Sequence, residues 1–238
     1  MTLASRLGLG RLRRALARWR SPIDLGAWSS AGPVSRVFGL DRGRPIDRYY
    51  IERFLAARAG DIRGRVLEVG DRSYTEHFGG ARVVASDVLH PVAGTPGATV
   101  IGDLTRPDTL PESSYDCFIC TQTLNFVFDP SRALLGARHV LKPGGVLLLT
   151  VGGISQVSRF DADRWGMFWG FTGQSLERLL EPLFPGAHAI ETYGNALAAT
   201  AFLNGVAVED LPKPDLLDEA DADYPVILAA VATRAAGA

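Results

Sequence analysis

Lysine is almost missing from this chain: Lys142 and Lys213 are the only two in 238 residues, and arginine carries the rest of the positive charge. An excess of either sign is missing as well. A formal net charge of -1 supplies no global attraction to nucleic acid or to an anionic surface, so no nucleic-acid partner is expected and any ligand must be recognised locally. Cysteine is nearly as scarce. Cys117 and Cys120 cannot build a disulfide framework, and in "YDCFICT" they sit on a strand pattern, where residues three apart point to opposite faces. The pair reads as two buried thiols in a reducing compartment, because a CxxC redox site needs a helix start. Apolar runs near the roughly 20 residues of a spanning helix are absent, as is a signal core, so a cytoplasmic location is expected. No His, Cys and acid cluster has metal-ligand spacing, and no metal is expected.

A further absence lies in "RVLEVGDRSYT", Arg65 to Thr75. Glu68, Val69 and Gly70 fit the cofactor turn of a doubly wound enzyme, but Arg72 and Tyr74 stand where two more glycines are expected. Without G-x-G-x-x-G opening a helix, a nicotinamide dehydrogenase is excluded.

What is present has the alternation of an α/β domain. "RVLEVG", "RVVASD", "ATVIGD" and "YDCFICT" are short apolar runs closed by Gly, Asp or Thr and read as buried parallel strands. "DPSRALLGARHVLKPGG" reads as a helix capped by Asp129 and stopped by Pro143 and Gly144, with "VLLLTV" a fifth strand. Pro45 to Ala59 and "TGQSLERLLEPLF" have helical spacing, the second with Thr172 as its cap. "NALAATAFLNGV" suggests a short helix, "EDLPKPDLLDEADAD" a solvated loop, and "AHAIETY" and "YPVILAAVAT" two late strands. Seven acids from Glu209 to Asp223 contrast with six arginines and no acid before Asp24.

Ligands of an open parallel sheet bind at the carboxyl ends of its strands. Asp87 is placed to accept the hydroxyls of a ribose, and Asp103 to accept from an adenine amino group with the Leu104 amide at the ring edge. Three acids there, Glu68, Asp87 and Asp103, suit a neutral or cationic nucleoside rather than a phosphate.

The run "GDLTRPDTLPESSYDCFICTQTLNFVFDPSRALLGARHVLKPGGVLLLT", Gly102 to Thr150, resembles class I S-adenosylmethionine-dependent methyltransferases of the small methyltransferase-domain family. In order it carries the cofactor-contacting Asp, the Leu-Pro, the Ser-aromatic-Asp strand start, the Asp-Pro helix cap and the Leu-Lys-Pro-Gly-Gly. The resemblance covers residues 44 to 233, and "GRPIDRYYIERFL" is similar to a bacterial subgroup associated with glycosyltransferases. It implies a Rossmann-like seven-stranded sheet, mostly parallel with an antiparallel last strand, preceded by an N-terminal helical extension. S-adenosylmethionine is the implied cofactor. Glu68, Gly70, Arg72 and Tyr74 would line the first loop, Asp87 and Val88 the ribose, Asp103 and Leu104 the adenine, and Thr121 and Gln122 the methionine side.

The implied domains are a basic helix and connecting arm over 1–43 and a methyltransferase domain over 44–238, with substrate-lid segments 44–59 and 154–171. Arg48, Tyr49 and Tyr50 from the first lid, Arg164, Trp165 and Trp169 from the aromatic second, and Tyr193 and Asn195 after a strand are the candidate substrate residues. His90, the one histidine on a strand-end loop, is a candidate base, whereas His139 reads as structural and His77 and His188 fall in segments pointing elsewhere. The implied function is methyl transfer to a small hydroxylated acceptor such as a sugar or glycosylated natural product. The alternative is a non-methylating cofactor-fold partner or regulatory subunit of a biosynthetic assembly.

Leu9, Leu12, Leu16 and Trp19 share one stripe of a basic amphipathic pattern over residues 1–20. It suits a docking helix, a transit peptide or a peripheral membrane contact. In a liposome co-sedimentation assay, deleting residues 1–20 abolishes binding if the pattern is an anchor and changes nothing if it docks on the domain.

Overall fold

The computed structural model describes residues 31–236 together with Gly26. The basic amphipathic pattern over residues 1–20 lies outside the described residues. Seven strands form one sheet: β1 (Gly64–Val69), β2 (Val83–His90), β3 (Val100–Ile101), β4 (Tyr115–Thr121), β5 (Leu141–Gly152), β6 (His188–Tyr193) and β7 (Ile227–Thr233). Their order is β3-β2-β1-β4-β5-β7-β6, with β7 running antiparallel between β5 and β6 and the other pairings parallel. Strand order reverses between β1 and β4, and this opens a crevice at their carboxyl ends. No helix among the described residues is long and apolar enough to cross a membrane.

The helices are α1 (Ile46–Ala57), α2 (Pro130–Val140), α3 (Arg159–Trp165), α4 (Gly173–Leu180) and α5 (Ala196–Asn204). One face of the sheet packs on α2 and α4 through Leu67, Phe118, Leu134, Leu149 and Leu176. The other face packs on α1 and α5 through Ile51, Phe54, Val66, Ile119 and Phe202. Cys120 belongs to the first core and Cys117 to the second, so the two thiols are buried on opposite faces, and burial pushes both thiols up. Each fully buried large apolar side chain contributes roughly 1.5–3 kcal/mol, so α1, with five buried residues, is held firmly against the sheet.

Local signals set most boundaries. Asp129 accepts from the Arg132 amide at the start of α2, and Thr172 and Ser175 form a reciprocal capping box on α4. The Lys-Pro-Gly-Gly stretch differs from expectation: the helix ends at Val140, and residues 141–145 form a bulge within β5, where pairing jumps from Tyr115–Leu141 to Cys117–Val146. The acidic stretch is also not simply solvated. Leu211 and Leu217 are buried, Asp210 pairs with Arg42 at 2.7 Å, and Asp218 takes the Tyr49 hydroxyl at 2.6 Å.

Close packing of α2 places the loop after β3. A Cβ added to Gly136 would lie 2.1 Å from the Leu104 carbonyl oxygen, a backbone atom that cannot swing away. Gly136→Ala is expected to cost about 1–3 kcal/mol in urea denaturation, since overpacking at a backbone contact must displace the helix or the loop.

Candidate active site

A cavity of about 1320 Å³ lies at the carboxyl ends of β1, β2, β4 and β5. Glu68, Gly70 and Tyr74 line it from β1 and its loop, His90 from β2, Asp103 from the turn after β3, and Thr121, Gln122 and Asn125 from β4. The strand ends form the floor because each chain must turn there, which brings several backbones and short side chains to one place.

The first loop is organised by Glu68. This side chain is only 2% exposed, yet its carboxylate accepts from the Tyr74 amide at 3.2 Å, the Thr75 amide at 2.8 Å and the Thr75 hydroxyl at 2.6 Å. Desolvation pushes its pKa up, and the three donors oppose that shift by favouring the charge. Gly70 has φ +88°, and a Cβ there would meet nothing within 4 Å, so the backbone leaves the cavity floor open at this point. Tyr74 points inward and stacks on Phe78 at 6.2 Å between ring centres, and burial raises its hydroxyl to about 12. Arg72 is placed differently from expectation. It does not line the cavity, because the loop is pinned through Tyr74 and Thr75 and turns Arg72 aside.

Asp87 also lies outside the cavity. It sits three residues before the end of β2, opposite Leu67, and three strand residues span about 10 Å. Its carboxylate accepts from Arg65 Nε at 2.9 Å, the Thr99 hydroxyl at 2.9 Å and the Tyr115 hydroxyl at 3.2 Å. After the cost of burial, these donors hold its pKa below the ordinary value. Val88 is buried, with its amide on Thr99 Oγ1, and Leu104 is packed in the core, so neither side chain reaches the cavity. Asp103 does. Its Oδ1 accepts from the amide and hydroxyl of Thr105 at 2.8 and 2.9 Å. Gln122 adopts φ +48°, rare without glycine, while its amide donates to the Thr150 carbonyl at 2.8 Å; this turns the residue at the end of β4 into the cavity wall.

Of the substrate candidates, Arg48 and Trp165 line the cavity. The other six are engaged elsewhere. Tyr49 donates to Asp218, and Tyr50 is buried with its hydroxyl on the Leu217 carbonyl. Tyr193 donates to Glu191, and Asn195 caps α5 and donates to the Leu216 and Glu219 carbonyls. Arg164 lies 3.5 Å over the Phe160 ring, and the Trp169 indole donates to the Val127 carbonyl at 3.1 Å.

Other groups complete the site. Asp47, Ile51 and Glu52 face it from α1, Ser155, Ser158 and Asp161 from the segment after β5, and His77 from the first loop. The position of His77 overturns the expectation that it points elsewhere. Asp47 and Ile51, and Arg48 and Glu52, each stand four residues apart, the spacing of neighbours on a helix surface, a signal present in the sequence. Asp47 is half-buried, and desolvation pushes its pKa up to about 6 despite the Arg48 amide on Oδ1 at 2.7 Å. Seven carboxylates line the cavity (Asp47, Glu52, Glu68, Asp71, Asp103, Asp129, Asp161) against the guanidiniums of Arg48 and Arg132. This field disfavours phosphate and suits a cation.

Glu177, Glu181 and His188 come within 4.8 Å of one another on α4, just after it, and on β6. They lie outside the cavity lining, and the histidine is paired with both acids.

This architecture can be set beside known proteins. Residues 69–149 match the family described as Methyltransferase domain. The match is about a third of the chain and runs from the end of β1 to β5, the stretch that supplies the cavity floor. The fold is that of S-adenosylmethionine-dependent methyltransferases. A SAM-dependent methyltransferase from Archaeoglobus fulgidus superposes with TM-score 0.51 at 14% identity, over 78% of this chain and 94% of that one. The 4+2 cyclase SpnF gives 0.50 at 16% identity, over 87% and 88%. A phosphoethanolamine N-methyltransferase from Haemonchus contortus, solved with phosphomonomethylethanolamine and S-adenosylhomocysteine, gives 0.51 at 11%, over 79% and 53%. No curated protein matches the chain.

Asn125 ties floor to cover. It is 3% exposed, donates to the Gly152 and Trp169 carbonyls at 3.0 and 2.6 Å, and accepts from the Gly152 amide at 3.0 Å. Asn125→Ala strands the Gly152 amide and the Trp169 carbonyl, while the Gly152 carbonyl keeps the Phe171 amide at 3.0 Å, and chemical denaturation should record a loss of about 2–4 kcal/mol.

Proposed function

We propose that the protein transfers a methyl group from S-adenosylmethionine to a small hydroxylated acceptor, with Asp47 as the base. The observation that carries this reading is an acid-lined cavity at the strand ends with Asp47 in its α1 wall, where burial raises this carboxyl to about 6. The residues fit a sulfonium nucleoside: seven carboxylates favour a cation, Gly70 leaves room at the first strand, and nothing in the lining resembles a phosphate cradle. Glu68 would hold the first loop, Asp103 would meet the adenine, and Thr121 and Gln122 would border the methionine side.

When bound, the cofactor supplies a methyl group on a sulfonium, transferred by in-line displacement to a nucleophile held at contact distance. An alcohol gains from a base within hydrogen-bonding reach, by about 10²-fold to 10⁴-fold, when that base titrates near the working pH. Asp47 meets the second condition. Its Oδ1 is held by the Arg48 amide, leaving Oδ2 to take the acceptor proton. Trp165, Phe168 and Phe128 form an apolar rim that would exclude water and stack on a ring face. A sugar or glycosylated acceptor presents such faces beside hydroxyls, in keeping with the resemblance of "GRPIDRYYIERFL" to the glycosyltransferase-associated subgroup.

A second reading is a cofactor-fold protein that does not methylate, favoured by the two glycines replaced in the first loop. Calorimetry with S-adenosylmethionine and S-adenosylhomocysteine, followed by product mass after incubation with sugar nucleotides and glycosides, separates the two. The methyltransferase reading expects binding and a product heavier by one CH₂. Absence of binding at millimolar cofactor would overturn it, and binding with no product from any acceptor supports the second reading.

Asp47 can be tested without knowing the acceptor. A raised folded-state pKa means that its contribution to stability is complete below the unfolded value of about 3.9 and is lost as pH rises through about 6. Asp47→Asn should therefore match the parent below pH 4 and exceed it at pH 7 by roughly 2–3 kcal/mol in urea denaturation. Greater stability at the expense of turnover is the pattern expected of a residue kept for chemistry.

A further inference from the structure

We propose that His90 binds the ribose of the cofactor, in the place where an acid at the end of the second strand would otherwise stand. This assignment rests on the cofactor reading above and concerns only which residue holds the sugar. In nucleotide-binding α/β sheets, the group that meets the ribose hydroxyls stands at the carboxyl end of β2, about 20 residues after the glycine turn. His90 is 20 residues after Gly70 and is the last residue of β2.

The pairing fixes that end. β2 continues beside β1 to Leu89, whose carbonyl accepts the Gly70 amide at 3.1 Å, and His90 gives its own carbonyl to the Gly102 amide at 3.1 Å. The ring therefore stands beside the glycine turn and lines the cavity, whereas Asp87 is about 10 Å back along the strand with its carboxylate committed to Arg65, Thr99 and Tyr115.

The ring is also prepared for the task. Nδ1 is held inside the loop by Val92, whose amide and carbonyl lie 3.1 and 3.2 Å from it, so Nε2 is the ring nitrogen left to meet a ligand. Thr95 Oγ1 adds a further contact to Nδ1 at 2.9 Å. Trp165 meets the ring edge-on at 5.8 Å and 74° and fixes its tilt. Among the described residues Nε2 has no hydrogen-bond partner, and it is the ring atom left for a ribose hydroxyl. A carboxylate accepts from both hydroxyls at once; a single imidazole nitrogen meets one of them.

Calorimetry with S-adenosylhomocysteine and its 2′,3′-dideoxy analogue tests the assignment on wild type, His90→Ala, His90→Gln and Asp87→Asn, with thermal unfolding as the check on folding. Wild type should prefer the hydroxylated ligand by about tenfold, and His90→Ala should lose both that preference and about tenfold in affinity. His90→Gln, which keeps a side-chain N–H, should recover part of it. Asp87→Asn should bind within about twofold of wild type, because its pairing lies behind the site. Wild-type affinity in His90→Ala, a preference that survives there, or a tenfold loss in a folded Asp87→Asn would each overturn the assignment while leaving the cofactor reading intact. Failure of wild type to bind S-adenosylhomocysteine at millimolar concentration would remove the cofactor reading itself and this assignment with it.

Discussion

A carboxylate with almost no exposure, held by three donors from one loop, is the constraint around which the candidate site is built. Glu68 is on β1, and each of its hydrogen bonds goes to Tyr74 or Thr75. Burying an ionised acid is costly unless it is hydrogen-bonded, so the loop cannot move without stranding the charge. Glycine-rich turns reach their conformation through backbone freedom. Here the same turn is held by a side-chain clamp, with only Gly70 at positive φ in the loop's first residues. Arg72 and Tyr74 are then tolerated: one is turned away from the cavity and the other becomes part of its wall.

Charge and strand length follow from that frame. The turn at Gly70 is bonded to Leu89, so β2 must extend at least that far, and the cavity receives an imidazole where the sequence suggests a carboxylate. The acids that do face the cavity come from the loops and from α1. Asp47 shows how the fold sets chemistry. Ile46, Tyr50, Ile51, Phe54 and Leu55 anchor α1, and the helix carries Asp47 into a place where losing water raises its pKa to about 6. The same burial that disfavours its charged form is what would suit Asp47 to the proposed role of base.

Much of the architecture was legible in the sequence. Apolar runs marked the strands, caps at Asp129 and Thr172 marked two helices, and the ordered motifs from Gly102 to Thr150 pointed to the fold and to Asp103, Thr121 and Gln122. What was not legible depends on partners distant in sequence. Asp87 reads as a strand end from local pattern, but pairing of Leu89 with Val100 and of His90 with Ile101 carries the strand onward. Tyr49, Tyr50, Tyr193 and Asn195 read as pocket residues by position, yet their polar atoms are taken by a neighbouring acid or by the loop from Leu216 to Glu219. The composition of that loop suggested only solvation, because two buried leucines among many acids leave little periodic signal. His77 was missed for a related reason: the loop's direction is set by Glu68, not by its own residues.

The proposed nucleoside site consists of this clamped loop and the strand ends beside it. Amide hydrogen exchange with and without saturating S-adenosylhomocysteine tests it most directly. A bound nucleoside should slow exchange across residues 70–76, 90–95, 102–105 and 121–126 and leave the β6 and β7 edge unchanged. Unaltered exchange in those four segments, or protection confined to another part of the chain, would contradict that proposal.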